Sequence, residues 1–265
     1  MSVFELRKKK ILITGALGII GTALTKKLIQ NKNELILIDY QPKNKNEKFY
    51  SKFLKHEIHN LDIADTKKVK QFFSKNKRNL MGLNTVVNLA AIDAKADKEK
   101  FKKHFHNFPL QKIRKSISVN LTGLINICQE SCKIFIKKNL YGNIINVGST
   151  YSLVAPNINL YKTKNNLETF NKPFDYVITK SSIPILTKYI ATTYAKDKIR
   201  CNCLIPHAIL EKPSKEFLRN FKKLSPIGRV CKVDEIINPI FFLISDGSSY
   251  MTGSTVVVDG GWTAW

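Results

Sequence analysis

Tyr176-Val177-Ile178-Thr179-Lys180 sets a phenol and an ammonium four residues apart. On a helix, residues at that spacing share a face. A free tyrosine has a pKa near 10 and is a poor acid or base at neutral pH. A nearby ammonium favours the phenolate, and bringing the pKa to about 7 takes roughly 4 kcal/mol of differential stabilisation. Taken alone, a Tyr and a Lys at this spacing are a chance event. Two further polar residues add weight to the pair. Ser149 follows the apolar stretch GNIINVGS, and Asn120 lies in a long periodic stretch before it.

A second group of residues suits a phosphate. Thr14-Gly15-Ala16-Leu17-Gly18-Ile19-Ile20-Gly21 follows a short apolar run and opens a helical pattern. Glycines in a strand-to-helix turn let the backbone approach a pyrophosphate, and the helix N-terminus offers unpaired N–H groups with a favourable dipole. Asp39 stands eighteen residues past Gly21, at the end of the next apolar run, with Tyr40 after it. A carboxylate there accepts hydrogen bonds from the adenosine ribose and repels a 2′-phosphate. Asp62 and Ile63 follow the third apolar run, where they would meet the adenine. Asn88, Ala90 and Ala91 end the fourth, where small side chains let a cofactor lie against the backbone.

The elements that must position these groups alternate in type. Strands are expected at 10–14, 34–39, 56–63, 84–91, 142–149, 199–206 and 254–261. Helices are expected at 18–30, 64–78, 109–138, 175–195, 213–223 and 232–245. Residues 92–107 read as a polar loop, and 150–174 hold no strong period. Buried strands alternating with helices call for a parallel sheet covered on both faces, with right-handed crossovers. The expected fold class is α/β, a doubly wound parallel sheet of the Rossmann type with about seven strands. No repeat, linker or composition shift divides the chain, so residues 1–265 are expected to form one domain.

Composition bounds the function. The chain has 265 residues, of which 43% are hydrophobic, with 44 Lys and Arg against 20 Asp and Glu. The resulting net charge of +24 would suit a nucleic-acid binder. However, arginine, the usual residue for bidentate base and phosphate recognition, occurs only at 7, 78, 114, 200, 219 and 229, and the lysines are scattered. Nucleic acid is therefore not expected as a partner. The lysine excess reads first as compositional drift and second as attraction of anionic substrates. Cys128, Cys132, Cys201, Cys203 and Cys231 are odd in number and contain no CxxC pair, which suggests a reducing compartment. Cys128 and Cys132 read as small buried residues on a helix, and Cys201 and Cys203 as sharing one face of a strand. The segment MSVFELRKKK lacks a signal-peptide apolar region, and no run is long enough to span a membrane. A cytoplasmic protein without membrane association is expected.

TGALGIIG, NLAA, SVNLTG, the Ser149 strand end, YVITK, IRCNCLIP and SDGSSYMTGSTVVVDGG occur in the order seen in short-chain dehydrogenases/reductases. The chain resembles that family over essentially its whole length. The resemblance implies that Tyr176 is the general acid/base, and that Lys180 binds the nicotinamide ribose and lowers the tyrosine pKa. Ser149 would orient the substrate carbonyl or hydroxyl, and Asn120 would hold a water in the proton relay. The implied reaction is hydride transfer between a carbinol or carbonyl and a nicotinamide cofactor. The implied cofactor contacts are Gly15, Leu17, Gly18, Ile19, Ile20, Gly21, Asp39, Tyr40, Asp62, Ile63, Asn88, Ala90, Ala91, Tyr176, Lys180, Pro206, His207 and the backbone of Ile209. Asp39 favours NAD over NADP, although Lys43 and Lys45 are near enough in sequence to meet a 2′-phosphate. A homodimer or homotetramer is implied, and no metal is expected; His104 and His106 read as solvated.

Some features depart from the family pattern. The glycine spacing is TGxxGxxG, and Ser149 and Tyr176 are 27 residues apart; both resemble the extended branch of the family. GRVCKVDEIINPIFFLISDGSSYMTGSTVVVDGG instead resembles the classical branch. STYSLVAPNINLYKTKNNLETFNKPFDY resembles a subgroup linked to bacterial surface-polysaccharide and flagellin-modification oxidoreductases. His207 stands where the family usually has glycine, and either reaches substrate or faces solvent. Glu211 stands where a threonine is common. The expected substrate is small and polar, an anionic sugar derivative. Lys95, Lys98, Lys100, Lys102 and Lys103 would sit at the mouth, with Asn157, Asn159, Tyr161, Lys162, Lys164, Asn165 and Asn166 between Ser149 and Tyr176. A second reading is a sugar epimerase or dehydratase holding NAD with no net redox change. A third is a non-catalytic nucleotide-binding protein on the same fold.

Overall fold

The computed structural model describes residues 6, 9–40, 58–93, 105–162, 172–210 and 213–265. Lys43, Lys45, Lys95, Lys98, Lys100, Lys102, Lys103, His104, Lys164, Asn165, Asn166 and Glu211 lie outside the described residues. Seven strands form one sheet: β1 (Lys10–Thr14), β2 (Glu34–Asp39), β3 (Ile58–Asn60), β4 (Thr85–Asn88), β5 (Gly142–Val147), β6 (Ile199–Pro206) and β7 (Thr255–Val258). Their order is β3-β2-β1-β4-β5-β6-β7, and every pairing is parallel. The chain reverses direction across the sheet between β1 and β4, which opens a crevice at the carboxyl ends of these strands.

The pleat explains why the strands are mostly apolar, since both faces of the sheet are covered. Leu12, Ile36, Ile38, Val86, Ile144 and Cys201 face one layer, while Ile11, Ile13, Leu37, Val87, Ile145 and Leu204 face the other. The first layer is closed by α2 (Thr66–Lys75), α4 (Leu124–Lys138) and α6 (Ile183–Tyr194), through Val69, Phe73, Ile127, Phe135 and Ile190. The second is closed by α1 (Ile19–Gln30) and α8 (Val233–Ile244), through Leu24, Leu28, Ile237 and Ile240. Cys128, Cys132, Cys201 and Cys203 are buried as expected, all five cysteines are free, and burial raises the pKa of these four thiols. No helix among the described residues is long and apolar enough to cross a membrane.

Two long helices expected from periodicity are interrupted. The 109–138 stretch becomes α3 (Leu110–Ile117), a π-helical turn (Ser118–Gly123) and α4. Gly123 makes a close approach there: a Cβ on it would stand 2.6 Å from Ile63 Cγ1. The 175–195 stretch becomes α5 (Phe174–Ser181) and α6, parted at Ser182. Pro184 in the first turn of α6 has no N–H to offer the Lys180 carbonyl four residues back. Strand ends also retreat: β4 stops at Asn88 and β5 at Val147, leaving Ala90 and Ser149 in the connecting segments. Two short 3-10 turns, Thr150–Ser152 and Ile158–Tyr161, occupy part of the stretch that showed no period, and α7 (Lys215–Leu224) packs near the second.

Candidate active site

The glycine turn joins β1 to α1. Gly15 has φ +68, and a Cβ on it would lie 2.7 Å from Ala90 N; a Cβ on Gly21 would lie 2.2 Å from Gly15 O. The backbone therefore fills the space that side chains would need, which leaves a cradle bounded by main chain. α1 has Gly18 as its N-cap, no side-chain cap and no acidic residue in its first turn, so its N–H groups and positive dipole end remain available to an anion. The buried Asp39 carboxylate accepts from Leu17 N at 2.8 Å and from Tyr40 N at 2.7 Å. It thus braces the turn as well as marking the end of β2. Asp62 accepts from Ala64 N at 2.9 Å, and Ile63 is buried, with its carbonyl taken by Asn126 Nδ2 at 2.9 Å. Asn88 turns its amide inward to Asn146 Oδ1, 2.9 Å away. What this strand end offers a ligand is the backbone near Ala90 and the exposed Ala91. A main-chain cradle, an uncapped helix end and a carboxylate at the end of β2 together fit a dinucleotide.

Beyond β5 stand the groups with acid–base chemistry. Ser149 caps the Thr150–Ser152 turn, its hydroxyl accepting from Tyr151 N at 3.3 Å, and it lies near enough to the Tyr176 phenol to favour the phenolate. Lys180, on the same helix as Tyr176, is buried; its Nζ donates to Val147 O at 2.8 Å and lies 5.8 Å from the Tyr176 ring centroid. Ser152 ties the two elements together. Its Oγ accepts from Ser149 N at 3.2 Å and donates to the Lys180 carbonyl at 2.6 Å. That carbonyl receives no N–H from Pro184, and accepts a backbone N–H at the end of α5 beside the serine.

The electrostatics differ from the sequence expectation. Burial raises the Tyr176 phenol above its ordinary value, the Asp93 charge adds to the rise, and the Ser149 hydrogen bond opposes it. Burial brings Lys180 down to about 8. The protein alone therefore does not lower the tyrosine pKa, because desolvation and the Asp93 charge outweigh the opposing Ser149 hydroxyl.

Asn120 sits in the π-helical turn and is buried. Its amide is fully engaged: Oδ1 accepts from Ile92 N at 2.8 Å, and Nδ2 donates to Ile92 O at 3.0 Å and to Thr179 Oγ1 at 3.1 Å. It clamps the segment after β4 onto the helix carrying Tyr176.

His207 does not face solvent, which overturns one of the two sequence readings of that position. It is buried, its Nδ1 lies 2.6 Å from Thr150 Oγ1, and its ring stacks on Phe221 at 5.3 Å and lies tilted against Trp262 at 4.5 Å. Burial brings it down to about 4, so it is neutral at physiological pH. Pro206 ends β6 in the core, and Ile209 is half-buried two residues past His207. Two of the proposed sugar contacts are also used internally. Tyr161 OH lies 2.7 Å from Tyr151 OH, and Asn157 caps its own turn through Asn159 N. Residues without a motif signal join the site through the fold alone: Ser152, Tyr151, Asp93 and Lys172. Lys172 pairs with Asp93 and lies over the Tyr176 ring.

A family model described as enoyl-(acyl carrier protein) reductase matches residues 15–263. The chain is 31% identical to the post-translational flagellin modification protein A of Campylobacter coli, over 97% of this chain and 99% of that protein. It is 27% identical to an L-rhamnose 1-dehydrogenase (NAD(P)(+)) of a Sphingomonas strain, over 76% of this chain and 73% of that one. Among solved structures, a short chain dehydrogenase from Leptospira borgpetersenii with bound NAD+ superposes with a TM-score of 0.85 at 27% identity, covering 98% of this chain and 95% of that one.

Proposed function

The chain belongs to the short-chain dehydrogenase/reductase family, and from that premise we propose that it moves a hydride between NAD(H) and a carbinol or carbonyl of an anionic sugar derivative, with Tyr176 as acid/base. It is an oxidoreductase dependent on a nicotinamide dinucleotide. When bound, that cofactor supplies the hydride donor or acceptor. The observation that carries the reading is the convergence of three groups at the carboxyl edge of the sheet: the Tyr176 phenol, the Ser149 hydroxyl near it, and Lys180 anchored on Val147 O. Ser149 orients the reacting oxygen, and Tyr176 gives it a proton or takes one. Lys180 holds the nicotinamide ribose, and its ammonium, together with the charge of an oxidised nicotinamide, supplies the phenolate stabilisation that burial withholds. Asn120 positions Thr179 and Ile92 with its side chain.

Gly15, Leu17, Gly18, Ile19, Ile20 and Gly21 cradle the pyrophosphate. Asp39 and Tyr40 take the ribose side, and Asp62 and Ile63 the adenine. Asn88, Ala90, Ala91, Pro206, His207 and Ile209 border the nicotinamide half, His207 by shaping the wall rather than by touching substrate. Tyr176→Phe is expected to lower hydride transfer by 10²-fold or more while leaving cofactor affinity within a few-fold, since it removes only the reactive hydroxyl. Retention of more than about a tenth of the rate would refute the acid/base role.

NAD is the preferred cofactor because the buried Asp39 carboxylate would face a 2′-phosphate with like charge. Side-by-side kcat/KM for NAD and NADP tests this, and a clear NADP preference overturns it. The sugar reading is supported by the relatives' names, which include a flagellin modification protein and a rhamnose dehydrogenase. We read residues 1–265 as one domain, acting in the cytoplasm as a homodimer or homotetramer. The unpaired cysteines and the exposed Ile178, Ile185 and Tyr189 on α5 and α6 support that reading.

A further inference from the structure

The Tyr176 ring has a second ammonium beside it. Lys172 Nζ stands 4.5 Å from the ring centroid, nearer than Lys180 Nζ at 5.8 Å, and it pairs with the Asp93 carboxylate. The Lys172 side chain is only 10% exposed, whereas Asp93 is 53% exposed. Both stand on held backbone. Lys172 precedes Pro173, the N-cap of α5, and a residue before proline is confined to extended conformations. Its ammonium therefore reaches the ring from outside the helix ladder. Asp93 follows Ile92, whose N–H and C=O are both clamped by the Asn120 amide.

The charged and titratable groups facing Tyr176 are few among the described residues. They are Lys172, Lys180 and Asp93, with the phenols of Tyr151 and Tyr161, whose hydroxyls bond each other. Asp175, next in the chain, turns its carboxylate to Ser116 Oγ at 2.5 Å. A cation over an aromatic face is attracted to the ring, and more strongly once the ring carries charge. An anion near it acts in the opposite sense.

We propose that Lys172 and Asp93 are positioning residues for the reaction: Lys172 holds a second ammonium against the Tyr176 ring, and Asp93 both fixes that ammonium in place and opposes its field. The inference rests on the reading of Tyr176 as the acid/base. A purely mechanical tie between the segment after β4 and the start of α5 would be lost equally whichever partner is replaced. A charge pair behaves differently, because removing one partner leaves the other's field uncompensated.

The test is an ultraviolet tyrosinate titration of the protein saturated with NAD+, each protein read against its own Tyr176→Phe counterpart. Asp93→Asn should move the ionisation step down by about one pH unit, a tenfold change in phenolate fraction, and Lys172→Gln should move it up by about one. The double variant should return close to wild type, and Lys172→Arg, which keeps the charge, should stay there. The pH profile of hydride transfer should move in the same order. If both single variants shift the step the same way, or if no step moves, the proposal is wrong and the pair is only a tie. Opposed shifts together with a Tyr176→Phe protein that keeps its turnover would instead sink the acid/base reading and leave the charge pair standing.

Discussion

A histidine whose ring lies against Phe221 and Trp262 behaves as an apolar side chain with one engaged nitrogen. His207 Nδ1 meets Thr150, and Nε2 is buried with no hydrogen-bond partner among the described residues. Protonation would place a charge among aromatic rings, which is why burial brings the group down to about 4 from the ordinary 6.5. Between those values the unfolded chain binds a proton that the folded chain refuses, so stability falls as pH drops through this window. From pH 7 to pH 5 this one group should cost about 2 kcal/mol. Urea unfolding of His207→Gln should lack that part of the pH slope; an unchanged slope would show that the burial is not maintained in solution.

At the level of elements, the site depends on places where regular structure stops. Pro184 breaks the hydrogen-bond ladder between α5 and α6, and the Lys180 carbonyl, which accepts a backbone N–H at the end of α5, accepts from Ser152 Oγ as well. The π-helical turn carries Asn120, and π-bulges of this kind recur at functional sites. The start of α1 is bounded by backbone alone. Gly21→Ala would set a Cβ 2.2 Å from Gly15 O and 2.9 Å from Ala16 Cα, main-chain atoms that cannot swing aside. The turn must then shift, at a cost of about 1–3 kcal/mol. A melting point several degrees lower and a weakened NAD+ titration are expected together. Unaltered affinity would mean that this turn does not carry the pyrophosphate.

At the scale of the whole molecule, a net charge of +24 surrounds a crevice at the carboxyl edge of the sheet. Such a field raises the local concentration of anionic substrates and fades with ionic strength over a Debye length of about 8 Å at physiological salt. Among sugar phosphates, nucleotide sugars and apolar ketones assayed by NADH formation or loss, the anionic sugars should give the highest kcat/KM. Their advantage should shrink as salt is added. An apolar ketone turned over best, with no salt dependence, would refute the sugar reading.

The strands, the glycine turn and the Tyr176–Lys180 pair were legible in the sequence because each rests on a local period or spacing. Largely apolar runs marked the strands, since strands buried on both faces leave few polar positions. The i, i+4 rule put the phenol and the ammonium on one helix face. What periodicity could not see were the interruptions, because a π-helical turn and a proline break both preserve the apolar spacing on either side. Nor could it see partners brought from elsewhere in the chain: Asp93 meets Lys172 across 79 residues, and Thr150 meets His207 across 57. The ionisation of Tyr176 and the neutrality of His207 belong to the tertiary structure alone. Both are set by how much water and which charges the packed chain leaves beside the group, and residue type and spacing carry no measure of either.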